Sequence, residues 1–507
     1  MMNIAKRDNV TVWLDRGILI LLGSYVIAYS CYTSVFAEIA VHFHFLPFPI
    51  FVGEILLIVC LLGLSIKLAV SFKQHRCNLT RWHYVLLIFI SWILINALWG
   101  YYQYGPLAFR NAALFYYSCF AVIAYYFFPK KVDEGVKWVM LALIWALIYL
   151  RFINYYYLWF HLALLFMIVL SFKEARMKYV GMIMASSLVV LNYRAFFIGS
   201  RSHMVSMISV FLFLWIMGMM IYGKKLKLWH CLLIGLGIVT GLLFGLRAFS
   251  DLNQITSMTT PKEIIRQFKE RDLYIKEHKK AYHPQALAVG LYNPNYPRSS
   301  KNIEAIVQAA EEKIESPKKV ERNTVAVAVE TPVEPPPVER PVLPEGKHYR
   351  SIDNAYGNSV FRLLIWRDMF VEIWQNKALF GINFGKPQRS ESLEITGWAH
   401  NEWTRDGWIT PHNSFLHMIY RGGLIGIIFI LFIIGLIVRM VRDFLNKRSF
   451  SGILLVSALI YWIVLSQFLV ILELPYIAIP FWSLFGITLA YAHQLTGKGL
   501  SENTSSP

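Results

Sequence analysis

Disulfide-forming cysteine is missing where a long exported loop would need it. The chain has five cysteines; Cys31, Cys60, Cys119 and Cys231 fall in apolar runs and Cys77 in a short basic loop. None lies between 251 and 411, so the one long polar stretch must be ordered by packing. Charge is scarce too: 16% of residues are Asp, Glu, Lys or Arg against 56% hydrophobic, and mean hydropathy is +0.47, which excludes an ordinary soluble domain. The signatures of soluble enzymes are absent: no Gly-rich phosphate loop with its lysine, no paired Cys spacing for zinc, no His-Glu-x-x-His helix, no Gly-x-Ser-x-Gly elbow. His42 and His44, in "VHFHF", lack a neighbouring carboxylate or cysteine and make a weak case for a metal.

What is present is apolar length. Runs of about 18 to 25 residues, each enough to cross roughly 30 Å of hydrocarbon as helix, fall at 17–36, 47–71, 83–104, 107–128, 136–153, 154–171, 179–197, 203–223, 228–247, 423–439, 451–471 and 474–493. The pattern predicts an all-α polytopic membrane protein with about 12 transmembrane helices. The first run is longer than the usual 7 to 15 residues of a signal-peptide core, which favours a retained span.

Lys and Arg stay on the cytoplasmic side of a membrane. With the N-terminus inside, nineteen fall in the inside segments, while Arg110, Arg151, Arg194 and Arg201 are the four in short outside loops. Both termini, including a 494–507 tail, are therefore expected in the cytoplasm, and the long loop, 248–411, outside it. The net charge of +18 follows from this topology. Residues 251–411 hold 22 Lys plus Arg against 21 Asp plus Glu, or +1, so +17 belongs to the remainder, and a nucleic-acid partner is not implied.

The chain thus divides into helices one to nine (1–247), the loop (248–411) and helices ten to twelve (412–493). Inside the loop, 301–315 has helical apolar spacing and 323–346 is a Pro, Val and Glu tract that reads as an extended linker. Residues 347–411 carry Trp366, Trp374, Trp398, Trp403 and Trp408 and are expected to fold against the membrane surface. There "FRLLIWRDMFVEIWQNKALFG" (361–381) reads as an amphipathic helix ended by Gly381. Arg362 and Trp366 share a face, whereas Arg367 points about 140° away from Arg362.

The candidate functional residues are cations on the outer side. Arg110 opens "LAFRNAALFYY", Arg194 and Arg201 sit in "NYRAFFIGSRSHMVS", Arg362 lies on the amphipathic helix, and His412 introduces "PHNSFLHMIYRGGLIGIIFILFIIGLI". A guanidinium stays charged and grips phosphate oxygens in a fork, so such a set suits an anionic substrate at the bilayer surface. The alternative is snorkelling to lipid headgroups, although outer helix ends are where Arg is scarcest. Asn413 and Ser414 could equally cap the next helix, and Glu54, inside the second span, could be functional or pair with an arginine for structure.

Three stretches in order, "FIGSRSHMVS", "FRLLIWRDMFVEIWQNKALFGINFG" and "PHNSFLHMIYRGGLIG", resemble elements of the O-antigen ligase and polymerase superfamily of bacterial envelope glycosyltransferases. The resemblance covers roughly residues 180 to 440; the longer loop and a second His-Asn pair, His400 and Asn401, depart from the usual pattern. It implies a GT-C-like fold in the bacterial inner membrane with the large loop in the periplasm. It also implies an enzyme that moves a glycan from undecaprenyl diphosphate to lipid A-core or to another glycan or protein acceptor, inverting and without metal or cofactor. His412 carries over as general base and Arg201 and Arg362 as catalytic cations; Arg110, Arg194, Asn413 and Trp366 carry over as diphosphate or substrate contacts. A polymerase, a protein O-oligosaccharyltransferase and, less readily, a transporter remain alternatives.

Overall fold

The computed structural model describes residues 4–41, 50–73, 81–128, 134–150, 152–174, 179–181, 183–184, 201–222, 261–278, 355–388, 390–395 and 411–497. His42, His44, Arg151, Arg194, His400, Asn401, the 301–315 helix, the 323–346 linker and the expected span 228–247 lie outside them. Only the backbone of Arg201 is described.

Helices dominate: α1 (Ile4–Ala37), α2 (Val52–Lys73), α3 (Arg81–Tyr104), α4 (Leu107–Tyr116), α5 (Cys119–Phe127), α6 (Glu134–Tyr149), α7 (Tyr155–Leu170), α8 (Arg201–Tyr222), α9 (Pro261–His278), α10 (Ala355–Gln375), α11 (Glu391–Ile395), α12 (Ser414–Asn446), α13 (Phe450–Leu465) and α14 (Pro475–Thr496). A two-residue antiparallel pair, β1 (Ala40–Val41) with β2 (Ile50–Phe51), is the sole sheet among the described residues. Among the described residues four helices are long and apolar enough to cross a membrane: Trp13–Thr33, Val52–Val70, Ser414–Asn446 and Pro475–Thr496. The bent pair α4 and α5 is apolar enough to count as a fifth if the two form one broken span rather than a re-entrant loop. This is the build of an all-α membrane protein.

Three of the departures from the sequence expectation have a clear local reason. The 107–128 run bends by 41° between α4 and α5. There Ser118 turns both its backbone N–H (3.0 Å) and its hydroxyl (2.6 Å) onto the Phe115 carbonyl, a competition with the helical ladder that produces kinks. The run at 423–439 belongs to a helix that begins nine residues earlier, at Ser414, and breaks at Gly423, where the apolar run starts. The run at 451–471 leaves the helix after Leu465; residues 466–474 form a loop although Val470, Ile471 and Leu472 are buried. Apolar residues serve a buried loop as readily as a helix, so hydropathy could not separate the two.

The main core joins the membrane helices, with α13 packed on α7 and α8, and α14 on α1 and α5. A second, smaller core lies at the site end. Ile275 of α9, Val360, Phe361, Leu364, Ile365 and Met369 of α10, and Ile382 and Leu393 enclose Leu416 and Tyr420 from the first turns of α12. Those first turns, polar in sequence, are thus roofed by loop-derived helices. Helix α10 ends at Gln375 rather than at Gly381. Gly381, at φ 85°, serves instead to let the turn approach the backbone of Arg421 and Gly423, where a Cβ would clash. The approach is stitched by two backbone bonds, Ile382 N–H to the Tyr420 carbonyl (2.7 Å) and Leu424 N–H to the Leu379 carbonyl (2.8 Å).

Candidate functional site

The start of α12 is fixed from three sides. Asn413 is the N-cap, its side-chain oxygen accepting from Leu416 N–H at 2.9 Å, which uses the oxygen that the sequence reading offered to substrate. Ser414 donates its N–H to the Ser466 carbonyl (2.8 Å) and its hydroxyl to the Leu469 carbonyl (3.1 Å), and accepts from Leu472 N–H (3.2 Å). Loop 466–474 is thereby tied to the residue two positions after His412.

His412 itself sits at φ 51°, in the left-handed region, a conformation that costs a residue other than glycine on the order of 1–2 kcal/mol. Its neighbours hold it there. The Trp366 indole N–H donates to the Pro411 carbonyl at 2.5 Å, and the Phe361 ring meets the His412 ring edge-on, centroids 6.3 Å apart. Trp366 therefore positions the histidine's backbone, a role different from the substrate contact expected of it. Burial first, and the Arg362 charge second, hold the His412 imidazole at about 4, which keeps it neutral near pH 7.

Arg362 donates to the Phe468 carbonyl at 3.0 Å, and its Nε is buried with no hydrogen-bond partner among the described residues. A buried unpartnered N–H on a guanidinium is a position where an acceptor would be strongly held. Arg367 faces elsewhere, as the helical angle required: it pairs with Asp272 of α9 and bonds Asp368 (3.1 Å) and Ser392, joining α9, α10 and α11.

Beside the first turns of α12 lies a cluster of charged and polar side chains. Glu473, in loop 466–474, accepts from Arg110 Nε at 3.1 Å. Its other oxygen stands 3.3 Å from His417 Nδ1, in ion-pair range but off hydrogen-bond alignment. Burial would raise the Glu473 carboxyl, but His417 and Arg110 outweigh it and hold the group at about 2. Arg421 donates to the carbonyls of Asn383 and Lys386, both at 2.9 Å, and approaches His417 Nε2 at 3.4 Å. Tyr420 donates to Glu372 at 2.5 Å, and Lys386 to the other oxygen of the same carboxylate at 2.7 Å.

The structure thus gathers Arg362, Trp366, His412 and Asn413 at one place and hangs Arg110 from the same loop that receives Arg362. Arg201 opens α8. Two residues on, His203 bonds Tyr461, one turn before the end of α13, which puts the start of α8 level with the beginning of loop 466–474. Arg194 lies outside the described residues. Glu54 meets tyrosines and not an arginine: Tyr116 and Tyr117 donate to it at 2.8 and 2.7 Å. The residue missed by the sequence reading is Glu473. An acid inside an apolar run, "LVILELPY", is the same signal that marked Glu54. Comparison with known proteins gives no significant match for this chain, whether to a family model, a curated protein or a solved structure.

Proposed function

We propose that the chain is an O-antigen ligase-like glycosyltransferase with about twelve spans and a GT-C-like build, acting on the periplasmic side of the bacterial inner membrane. It transfers a glycan from undecaprenyl diphosphate to an acceptor, lipid A-core in the leading case. One observation carries the reading. A neutral histidine and a guanidinium with an unpartnered buried N–H stand together at the start of α12, backed by a further arginine.

The chemistry follows from those groups. His412, neutral, accepts the proton of the acceptor hydroxyl as its oxygen attacks the anomeric carbon. The anomeric carbon–oxygen bond breaks, and its electron pair leaves with the diphosphate, whose growing charge is met by Arg362 and Arg201. A single displacement inverts the sugar. Trp366 and the Asn413 cap hold His412 and the first turn of α12 in place for that step.

The test is a lipopolysaccharide gel on a strain lacking the gene, read with the pool of undecaprenyl-linked glycan and complemented by His412→Ala and Arg201→Ala. Loss of all O-antigen bands, long polymer on the lipid carrier, and failure of both variants to complement while still reaching the membrane are the expected results. A single repeat unit on lipid A-core would mean a polymerase. An unchanged ladder with active variants would sink the assignment.

A further inference from the structure

Among the described residues the buried acids are Glu473 and Asp443, and Asp443 faces Arg439 near the far end of α12, at 3.8 Å. Glu473 is the buried acid of loop 466–474, beside the start of α12, and the transfer chemistry above does not use it. A carboxylate is buried at a heavy penalty unless cations compensate it. Here Arg110 donates to one oxygen, the His417 imidazole stands beside the other, and Arg421 donates to the far nitrogen of that imidazole. The partners differ in exposure: the Glu473 and His417 side chains are each 3% exposed, that of Arg110 is 36%. The carboxylate is therefore the fixed end of the pair and the arginine the end that reaches the open side. Because a guanidinium is planar, holding Nε sets the plane of the whole head. The loop that carries Glu473 also receives Arg362 through the Phe468 carbonyl, so both heads are referred to one short segment.

We propose that Glu473 is a positioning residue: it holds the Arg110 guanidinium at the height and in the plane where a lipid-linked diphosphate docks, an inference that rests on the glycosyl-transfer reading for its role in turnover. Glu473 touches no substrate. It acts through Arg110, with His417 and Arg421 holding the carboxylate from behind.

The experiment uses the full chain in lipid nanodiscs and two readouts, equilibrium binding of undecaprenyl diphosphate and steady-state transfer from a lipid-linked glycan. Glu473→Gln should weaken binding and raise KM by about tenfold while kcat stays within about threefold. Glu473→Asp, which keeps the charge but shortens the reach, should fall between Gln and wild type. The pair Arg110→Gln/Glu473→Gln should bind no more weakly than Arg110→Gln alone, because a positioning residue has no effect once its client is gone. Wild-type binding by Glu473→Gln, or losses that simply add, would overturn the proposal. Where Glu473→Gln does not reach the membrane folded, Glu473→Asp decides: weaker binding at an unchanged melting temperature supports the role, and wild-type binding overturns it. A chain that binds the diphosphate lipid in a Glu473-dependent way yet transfers no glycan would remove the glycosyl-transfer reading and leave the positioning role standing.

Discussion

At the residue scale, His412 and Arg362 have separable expectations. The imidazole is held at about 4 by burial and by the Arg362 charge, below an ordinary histidine at about 6.5. Its neutral form accepts the proton, so activity should persist as pH falls through 6.5 and decline only on approaching about 4, as a pH profile of kcat/KM would record. An acid limb centred at 6.5 would mean that the base is another group. Arg362→Ala should reduce kcat by about 10²–10³, the scale for losing a donor to developing charge. Arg367→Ala should leave kcat nearly unchanged and lower the melting temperature, because its partners are Asp272, Asp368 and Ser392 in α9, α10 and α11. The two arginines are five positions apart in one helix, and only the helical angle separates a candidate catalytic cation from a structural one.

At the element scale, the break in α12 joins the layer of α9, α10 and α11 to the membrane helices. Gly423 has φ 54° and ψ −130°, which side-chain-bearing residues rarely adopt, and a Cβ there would collide with the Leu379 carbonyl and Gly381 N. Gly423→Ala should therefore destabilise the fold by at least about 1–3 kcal/mol, seen as a lower melting temperature or a loss of membrane-inserted protein. Gly435, also on α12, meets nothing within 4 Å of an added Cβ, and Gly435→Ala serves as the neutral control. Trp366→Phe removes the indole donor to Pro411 but keeps the ring, so it should slow transfer without unfolding the chain.

At the scale of the whole molecule, the prediction concerns sidedness. The expected topology places Arg439, Arg442, Lys447 and Arg448 inside and residues 251–411 outside. A periplasm-dependent phosphatase reporter fused near residue 330 should be active, and one fused after Arg448 inactive; the reverse pattern would invert the site to the cytoplasmic face. Deleting 323–346 should leave transfer intact if that tract only links its neighbours.

Much of this was legible along the chain because membrane solvation acts residue by residue. Every backbone polar group in hydrocarbon must be satisfied within its own segment, so apolar length predicts helices directly, and the break at Gly423 coincides with the first residue of the apolar run. Helical angle likewise assigned Arg362 and Arg367 to different faces, and the capping role of Asn413 was readable from residue type. Other features depended on contacts distant in sequence. Loop 466–474 reads as span because its apolar residues are buried by protein, and its turn exists to meet Ser414 and Arg362. Arg110 and Glu473, 363 positions apart, form an ion pair that no local pattern encodes. Sequence by itself marked the apolar segments that are candidates to leave water; tertiary structure decided which of them are helices and which charges meet beside them, because a buried ion pair is specified by partners brought together only when the chain has folded.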